Sequence, residues 1–383
     1  MLESLVARDE YVALSRCVYL NQAALGLIPA RSVSAMMAFL ADIAQLGNLR
    51  LSDEDEVGVL DDARGAAAQL LDVPPTWVAI TGGAGEALGQ VAALVAGIDG
   101  SVLLVSSDFP SVTYPWLVAA QRNGIAIRTV DDHADENLTE SLIDAIDDST
   151  NVVCFSAVQY ATGTHVDVGA VAAHAHRTGA RVVVDATQLA GAGPMSVRQW
   201  GADAVVCSGY KWLSTHGGAA VLTLAPDLVE MTPQLVGWKG TRHPFAFEPM
   251  SLPLANDARR FELSTIAYVS AIGLRESIAM LIALDPLRIE QHARHLATEL
   301  VDRVEPLGWA PFRPLSDPAA SSHIVALTHP TLVADAVQRT LAGTHNVMCS
   351  SRNGAIRVSL HVYNDESDID AFVRALKSLE PMK

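Results

Sequence analysis

The chain has 383 residues, 26 of them basic and 43 acidic, and its formal net charge is -17 at pH 7. This length is sufficient for one large domain and one smaller one. The acidic balance argues against nucleic acids and anionic membranes as partners.

The sequence gives no sign of a secretory or membrane-spanning segment. Residues 1–10 are acidic, unlike a signal peptide, and the apolar run 88–98 is too short to span a bilayer. The cysteines, Cys17, Cys154, Cys207 and Cys349, lie far apart without a CxxC pair, so neither a disulfide framework nor a zinc site is predicted. We therefore expect a cytoplasmic protein.

Strand-like and helix-like runs alternate over much of the chain. The strand-like runs are 77–81, 101–106, 125–130, 151–156, 181–185, 204–208 and 218–224. Helix-compatible residues lie between most of them, which is the βαβ pattern of an α/β protein with a mostly parallel sheet. Beyond residue 261 come long helical runs at 265–284 and 286–304 and short strand-like runs near 322–327 and 355–360, which predict an α+β domain. We place an N-terminal segment that packs on the small domain at 1–20, the large domain at 21–260 and the small domain at 261–383.

A glycine-rich turn follows the first of these strands. Thr81-Gly-Gly-Ala-Gly-Glu86 leads into an apolar helical run, so free backbone N–H groups and the positive end of the helix dipole would face an anion there. Such turns also occur in nucleotide-binding loops and in plain strand-to-helix connections. The function of this turn therefore depends on the residues that accompany it.

Two charged residues follow apolar strands. The run Arg181 to Val184 is apolar without alternation, which indicates a strand covered on both faces, and Asp185 comes next. Lys211 follows the next apolar strand, and the carboxyl ends of strands in open α/β sheets bind ligands. A buried carboxylate needs a partner, and a partly desolvated lysine is an amine nucleophile. Pyridoxal phosphate needs a lysine, a carboxylate for its ring nitrogen and an anion site for its phosphate.

Further motifs accompany these residues. Along the chain the motifs are Tyr19-Leu-Asn-Gln-Ala-Ala-Leu-Gly26, the glycine-rich turn, Asp108-Phe-Pro-Ser111, Ser156-Ala-Val-Gln-Tyr160, Asp185-Ala-Thr-Gln188, Ser208-Gly-Tyr-Lys-Trp212, Arg260-Phe-Glu-Leu-Ser-Thr265 and Ile356-Arg-Val-Ser-Leu-His-Val-Tyr-Asn364. In this order they resemble the class V aminotransferase family of fold-type I pyridoxal phosphate enzymes, which includes cysteine desulfurases, kynureninase and isopenicillin N epimerase. The resemblance implies a seven-stranded, mostly parallel sheet with helices on both faces and a smaller α+β C-terminal domain.

The resemblance also implies how the cofactor ring is held. Lys211 would be the Schiff-base residue, and Asp185 would pair with the ring nitrogen. Gln188 would donate to the phenolic oxygen, and Phe109 would stack on the face of the ring. Lys211 and Asp185 are therefore the predicted catalytic residues.

Other cofactor contacts follow from the same resemblance. Tyr160 matches the position that lies near the phenolic oxygen, although the adjacent Gln159 is an alternative. The predicted phosphate contacts are Ala84, Gly85, Ser208, Tyr210 and, from the neighbouring subunit, Thr265. The last contact would require a homodimer with shared active sites.

The substrate contacts centre on one arginine. A guanidinium offers a bidentate fork for a carboxylate, and the resemblance makes Arg357 the anchor of an α-carboxylate. Arg352 is a second candidate, and Asn21 belongs to the loop that the family places beside the substrate. An amino acid held in this way would lose its α-proton to Lys211, and the carbanion would be delocalised into the cofactor.

The fate of that carbanion stays open. We expect an aminotransferase or a β-eliminating carbon-sulfur lyase, for instance in a secondary-metabolite pathway, with an epimerase or a cysteine desulfurase as alternatives. Desulfuration is disfavoured because Cys349 precedes Ser350-Ser-Arg-Asn-Gly354, which resembles the pattern of members that are not desulfurases. A nucleotide-binding oxidoreductase would leave Lys211 unexplained. A non-catalytic pyridoxal phosphate-binding protein would have no use for Arg357.

Overall fold

The computed structural model describes residues 2–95 and 100–379. Residues 96–98 of the apolar run and residues 380–383 of the predicted small domain lie outside the described residues. Within the described ranges, no helix is both long enough and apolar enough to cross a membrane.

The secondary structure falls into three consecutive stretches. The first contains β1 (Val18–Tyr19), α1 (Ala30–Leu46) and α2 (Asp53–Leu71). The second contains β2 (Val78–Thr81), α3 (Ala84–Val95), β3 (Ser101–Val105), α4 (Pro110–Asn123), β4 (Ala126–Val130), α5 (Leu138–Ala145), β5 (Thr150–Ser156), α6 (Val168–Thr178), β6 (Arg181–Asp185), α7 (Val197–Trp200), β7 (Ala204–Ser208), β8 (Ala220–Leu224) and α8 (Pro226–Glu230). The third contains α9 (Tyr268–Ala283), α10 (Pro286–Val304), β9 (Ala310–Pro311), β10 (Ile324–Thr328), α11 (Ala334–His345), β11 (Val347–Met348), β12 (Ser350–Arg352), β13 (Ala355–Ser359) and α12 (Glu366–Lys377).

Strands β2 to β8 form one seven-stranded sheet in the order β2-β8-β7-β6-β5-β3-β4. Strand β8 is antiparallel to both of its neighbours, and the other pairs are parallel. Because alternate residues of a strand face opposite sides, Val182 and Val184 join a core that includes residues of α1, α2 and α9, whereas Val183 joins a core with α3 and α4. The predicted mostly parallel sheet with helices on both faces is confirmed.

The connection between β7 and β8 explains why β8 reverses direction. Residues 209–219 are too few for the crossover that parallel neighbours require, so β8 returns beside β7 in the opposite direction. The short loop thereby keeps Lys211 at the edge where β7 ends.

A second, antiparallel sheet has the strand order β12-β13-β10-β9. Strand β1 pairs with β11 in parallel, and Leu20, directly after β1, lies in the core formed by this sheet with α10 and α12. Tyr11 and Ala23 belong instead to the core of the large sheet. The N-terminal segment therefore contacts both cores, and the domain boundaries at residues 20 and 260 remain predictions.

A buried ion pair connects the segment before α9 to the large sheet. Glu262 accepts hydrogen bonds from Arg64 Nε at 3.1 Å and from the backbone N–H of Ile80 in β2 at 3.0 Å. Burial raises the pKa of Glu262, and the charge of Arg64 opposes that rise. Because Ile80 precedes Thr81, this contact fixes the segment beside the strand that leads into the glycine-rich turn.

Candidate active site

The carboxyl ends of β5, β6 and β7 meet at one edge of the large sheet. Asp185, the last residue of β6, lies opposite Ser156, the last residue of β5. The backbone N–H of Ser208, which ends β7, donates to Thr187 Oγ1 at 2.9 Å. Lys211 follows within the same loop, so the predicted lysine and carboxylate come from neighbouring strand ends.

Asp185 is a buried carboxylate with 6% exposure. Its Oδ1 accepts a hydrogen bond from the backbone N–H of Thr187 at 2.8 Å. Burial raises the pKa of Asp185, while its hydrogen bonds with Thr187 and the charge of Lys211 oppose that rise. A cationic group next to this carboxylate would stabilise its ionised form.

Lys211 is also buried, with 7% exposure, and its Nζ lies 5.2 Å from the centre of the Phe109 ring. Burial lowers the pKa of Lys211 to about 8; the charge of Asp185 acts upward, and the charges of Arg357 and Arg352 act downward. The amine therefore has a substantial neutral fraction near pH 7, the form that acts as a nucleophile or base.

The N-terminal loop packs directly on the loop that carries the lysine. The N–H of Gly26 donates to the carbonyl of Tyr210 at 2.9 Å, and a Cβ at Gly26 would stand 2.0 Å from the Lys211 carbonyl oxygen. Gln22 Nε2 donates to the same Lys211 carbonyl at 3.0 Å and to Ser214 Oγ at 3.1 Å. Gln22 was not among the predicted site residues.

Helix α3 begins directly after the glycine-rich turn. The N–H of Ala87 donates to the carbonyl of Gly83 at 3.0 Å, so the preceding N–H groups of Ala84 and Gly85 have no acceptor within the helix. Free N–H groups at the positive end of a helix suit a phosphate.

The strand register brings this turn to the edge where Ser208 lies. Thr81, the last residue of β2, pairs with Ala220 at the start of β8, and Ala220 pairs with Ser208. Tyr210 is half-buried beside them, and burial raises its pKa, as does the charge of Asp185. The phosphate contacts predicted from within one chain, Ala84, Gly85, Ser208 and Tyr210, therefore share one edge of the sheet.

Two aromatic rings line the side of the site where β3 and β5 end. The rings of Phe109 and Tyr160 are edge to face, with centroids 5.3 Å apart. Asp108 accepts from the backbone N–H groups of Phe109 and Ser156, each at 2.7 Å, and from Gln159 Nε2 at 3.2 Å. Burial raises the pKa of Asp108 to about 6 despite these bonds. Because Asp108 holds Gln159, Tyr160 is the member of that pair that faces Phe109; Asp108 itself had no predicted role.

Gln188 is held on three sides. Its Nε2 donates to the carbonyl of Ala23 at 3.1 Å, and its Oε1 accepts from Trp212 Nε1 at 2.7 Å. His323, from the antiparallel-sheet side, donates from Nε2 to the Gln188 carbonyl at 2.6 Å. The predicted contact of Gln188 with the phenolic oxygen would use its second amide hydrogen, and it remains a prediction. His323 lies 135 residues away in sequence, and no local motif indicates it.

Arg357 enters from β13 and is almost fully buried, with 1% exposure. Its Nη1 donates to the carbonyl of Tyr160 at 2.6 Å, whereas Nε and Nη2 are buried without a hydrogen-bond partner among the described residues. Burial, together with the charge of Arg352, lowers the pKa of Arg357 to about 10. The unpaired Nε and Nη2 form the fork that a carboxylate accepts from.

Asn21 and Thr265 have different positions. Asn21 forms an isolated β-bridge with Ser359, and its Oδ1 is buried with no partner in the described part of the chain. Thr265 is exposed and interacts with Tyr268. No hydrogen bond found within residues 2–95 and 100–379 joins Thr265 to Lys211 or Asp185.

The cysteine thiols lack the features of activated nucleophiles. Cys349 has 2% exposure, and burial raises its pKa to about 12. Burial also raises the pKa of Cys154 and Cys207, which lie within strands, and that of the half-buried Cys17.

The chemistry of the donor set fits pyridoxal phosphate. Lys211 can take the aldehyde, Asp185 can pair with a protonated ring nitrogen, and the start of α3 can hold the phosphate. The two unpaired nitrogens of Arg357 leave a place for a carboxylate on the substrate. Together with the α/β fold, this set is that of a pyridoxal-phosphate-dependent enzyme.

Comparison with known proteins identifies the family. The family model "Aminotransferase class-V" matches residues 18–372, and the chain belongs to this family of pyridoxal-phosphate-dependent transferases and lyases. Cysteine desulfurase CsdA of Escherichia coli (strain K12) is 28% identical over 392 residues, 96% of each chain. The uncharacterized aminotransferase YcbU of Bacillus subtilis (strain 168) is 27% identical over 314 residues, 80% of each chain. A solved C-DES mutant with glycine covalently linked to its PLP cofactor has a TM-score of 0.89 at 21% identity, over 97% of this chain and 99% of that chain, and supports the fold.

Proposed function

We propose that the chain acts on an α-amino acid, whose α-carboxylate is bound by Arg357 and whose α-proton is removed by Lys211. The observation that carries this proposal is the buried Arg357 guanidinium with Nε and Nη2 unpaired, whose charge acts on Lys211. A buried cation without an anion is unfavourable. An anionic ligand would therefore complete the site next to the amine.

The residues around Lys211 have complementary roles in this proposal. Bound pyridoxal phosphate supplies an electron sink for the electron pair left by a departing α-proton. Asp185 would hold the proton on the ring nitrogen, Phe109 would cover the ring and Gln188 would donate to the phenolic oxygen. The pKa of Lys211, about 8, gives its free amine the basicity needed to accept the α-proton near neutral pH.

We propose transamination or β-elimination, the latter as in a carbon-sulfur lyase, as the reaction. Desulfuration requires an accessible thiolate that attacks the sulfur of the substrate. Burial raises the pKa of Cys349 to about 12, and it raises the pKa of the other cysteines as well. The state of these thiols therefore favours a reaction that uses no protein cysteine.

We further propose a cytoplasmic homodimer in which Thr265 contacts the phosphate held by the neighbouring subunit. Its exposed position supports this arrangement, as does the lack of a hydrogen bond from Thr265 to Lys211 or Asp185 among the described residues. The nearby loop exposes Phe247, Met250 and Leu252, an apolar surface of the kind that subunit interfaces cover. Sedimentation should give twice the monomer mass, and Thr265→Ala should weaken cofactor binding; a monomer that retains full cofactor affinity would contradict this arrangement.

The function is tested by incubating the full chain and pyridoxal phosphate with a panel of L-amino acids in heavy water. We expect exchange of the α-hydrogen for deuterium with members of the panel, and none with Lys211→Ala. A keto acid with an unchanged side chain identifies transamination, whereas pyruvate, ammonia and a released thiol identify β-elimination. A wild-type chain that carries the cofactor but exchanges no α-hydrogen would contradict the proposal.

A further inference from the structure

We propose that Arg352 and Ser350 form a subsite for an anionic group on the side chain of the substrate, so that the preferred substrates are amino acids with a second carboxylate. This inference rests on the proposed function, in which Arg357 binds the α-carboxylate.

The β12–β13 hairpin places these residues on one face of the antiparallel sheet. Ser350 in β12 lies directly opposite Arg357 in β13. Opposed residues of antiparallel strands project to the same face, as do residues i and i+2 of one strand, so Ser350, Arg352 and Arg357 share a face. Arg352 and Arg357 are diagonal neighbours, with a spacing of about 7–8 Å that long side chains can bridge.

This face of the sheet is turned towards the active site. Ser359, two residues after Arg357, donates its hydroxyl to the carbonyl of Leu20 at 3.2 Å, in the loop that also contacts Lys211. Arg357 itself donates to Tyr160 beside Phe109. In keeping with this position, the charge of Arg352 contributes to lowering the pKa of Lys211, whose main cause is burial.

The two arginines on this face differ from other buried arginines of the chain. Arg64 forms ion pairs with Asp61 and Glu262, and Arg313 forms ion pairs with two aspartates. By contrast, neither Arg352 nor Arg357 forms an ion pair with any residue that the structure describes. Arg352 is half-buried, and its Nη1 donates a hydrogen bond to the carbonyl of the adjacent Ser351 at 2.6 Å. Two neighbouring cations without anions therefore face one site.

One carboxylate would not satisfy this group. The fork of Arg357 Nε and Nη2 matches a single α-carboxylate. The charge of Arg352 would remain unpaired, as would the buried hydroxyl of Ser350, which has no partner among the described residues. A second carboxylate on the side chain of the substrate would supply acceptors for both groups.

The test compares substrates that differ only in this charge. With the cofactor-loaded full chain, kcat/KM is measured for S-carboxymethylcysteine against S-carbamoylmethylcysteine and for glutamate against glutamine. The variants are Arg352→Gln, Arg352→Lys and the control Arg339→Gln, which removes an exposed positive charge on the neighbouring helix α11. Products are quantified as keto acid or pyruvate.

We expect the wild type to prefer the charged member of a pair by roughly tenfold or more, as an additional charge-assisted contact would give. Arg352→Gln should abolish this preference by lowering kcat/KM for the charged member by a larger factor than for the neutral member. Arg352→Lys should restore part of the preference, and Arg339→Gln should leave it intact. Equal losses for both members in Arg352→Gln would show that Arg352 only positions Arg357. That result, or a wild type without the preference, would overturn the subsite.

A binding measurement separates failure of the subsite from failure of the proposed function. Succinate should raise the thermal midpoint of the cofactor-free full chain more than butyrate does at the same concentration, and Arg352→Gln should remove the difference. If amino acids show no reaction but this difference is present, the proposed function fails and the anion subsite stands. If amino acids react and the difference is absent, the subsite alone is refuted.

Discussion

Changing the pH through 8 should switch the free Lys211 amine between its charged and neutral forms. Burial is the main reason that its pKa falls from 10.5 to about 8. At pH 7.5 an amine with a pKa of 8 is about one quarter neutral, whereas one with a pKa of 10.5 is only about one thousandth neutral. The buried site should therefore raise the reactive fraction of Lys211 about 200-fold.

The neighbouring charges predict the sign of further shifts. Asp185 favours the charged amine, so Asp185→Asn should lower the pKa of Lys211 below 8. Arg352 disfavours the charged amine, so Arg352→Gln should raise the pKa above 8. Each change should amount to between a few tenths of a unit and about one unit.

Competitive labelling of the cofactor-free full chain with acetic anhydride measures this titration. Mass spectrometry gives the acetylation rate at Lys211 as a function of pH, with the exposed Lys377 as the reference. The rate at Lys211 should rise with a midpoint near pH 8. A midpoint at or above about 10, or shifts of the same sign in Asp185→Asn and Arg352→Gln, would contradict these effects of burial and charge on the pKa of Lys211.

Three other substitutions test separate parts of the structure. Arg357→Gln should reduce kcat/KM for α-amino acids roughly 30- to 4,000-fold, because loss of one partner of a buried charge pair costs about 2–5 kcal/mol. A change in kcat/KM of less than about threefold in steady-state kinetics would contradict the role of Arg357 in binding the α-carboxylate. Glu262→Ala should lower the free energy of unfolding in denaturant titrations by about 3 kcal/mol, because it removes a carboxylate from the buried Arg64. A loss below about 1 kcal/mol would contradict a structural role for this ion pair. Gly26→Ala should lower the free energy of unfolding by about 1–3 kcal/mol in the same assay, because its Cβ would stand 2.0 Å from the Lys211 carbonyl oxygen. The control is Gly58→Ala in helix α2, where an added Cβ meets nothing within 4 Å. This variant should be neutral or stabilising.

The large sheet could be predicted from sequence because its strands are buried on both faces. Runs such as 181–185 and 204–208 match the observed strands β6 and β7, and the other five differ by no more than two residues at either end. Burial on both faces gives an apolar run without alternation, which is a strong local signal. The two-residue strands β1 and β11 lack such a signal, because their pairing joins Val18 to Val347 across almost the whole chain.

The candidate site was predictable only where a local motif marks a strand end or a helix start. Asp185, Lys211 and the glycine-rich turn have that property, and the sheet register brings them to one edge. Gln22 lies in the motif Tyr19 to Gly26 and His323 lies in no quoted motif; neither was predicted as a site residue, since their role comes from hydrogen bonds to the distant Lys211 and Gln188 carbonyls. Which of two adjacent side chains faces a site also depends on packing that a sequence pattern does not describe.

We expect Lys211 to bind pyridoxal phosphate covalently, and the purified full chain and Lys211→Ala test this claim. After addition of the cofactor and gel filtration, the wild type should show visible absorbance. Borohydride reduction should then add the mass of the reduced cofactor to the Lys211 peptide, and the variant should show neither signal. A wild-type chain that takes up no cofactor, or that carries it on Lys239 instead, would contradict the claim.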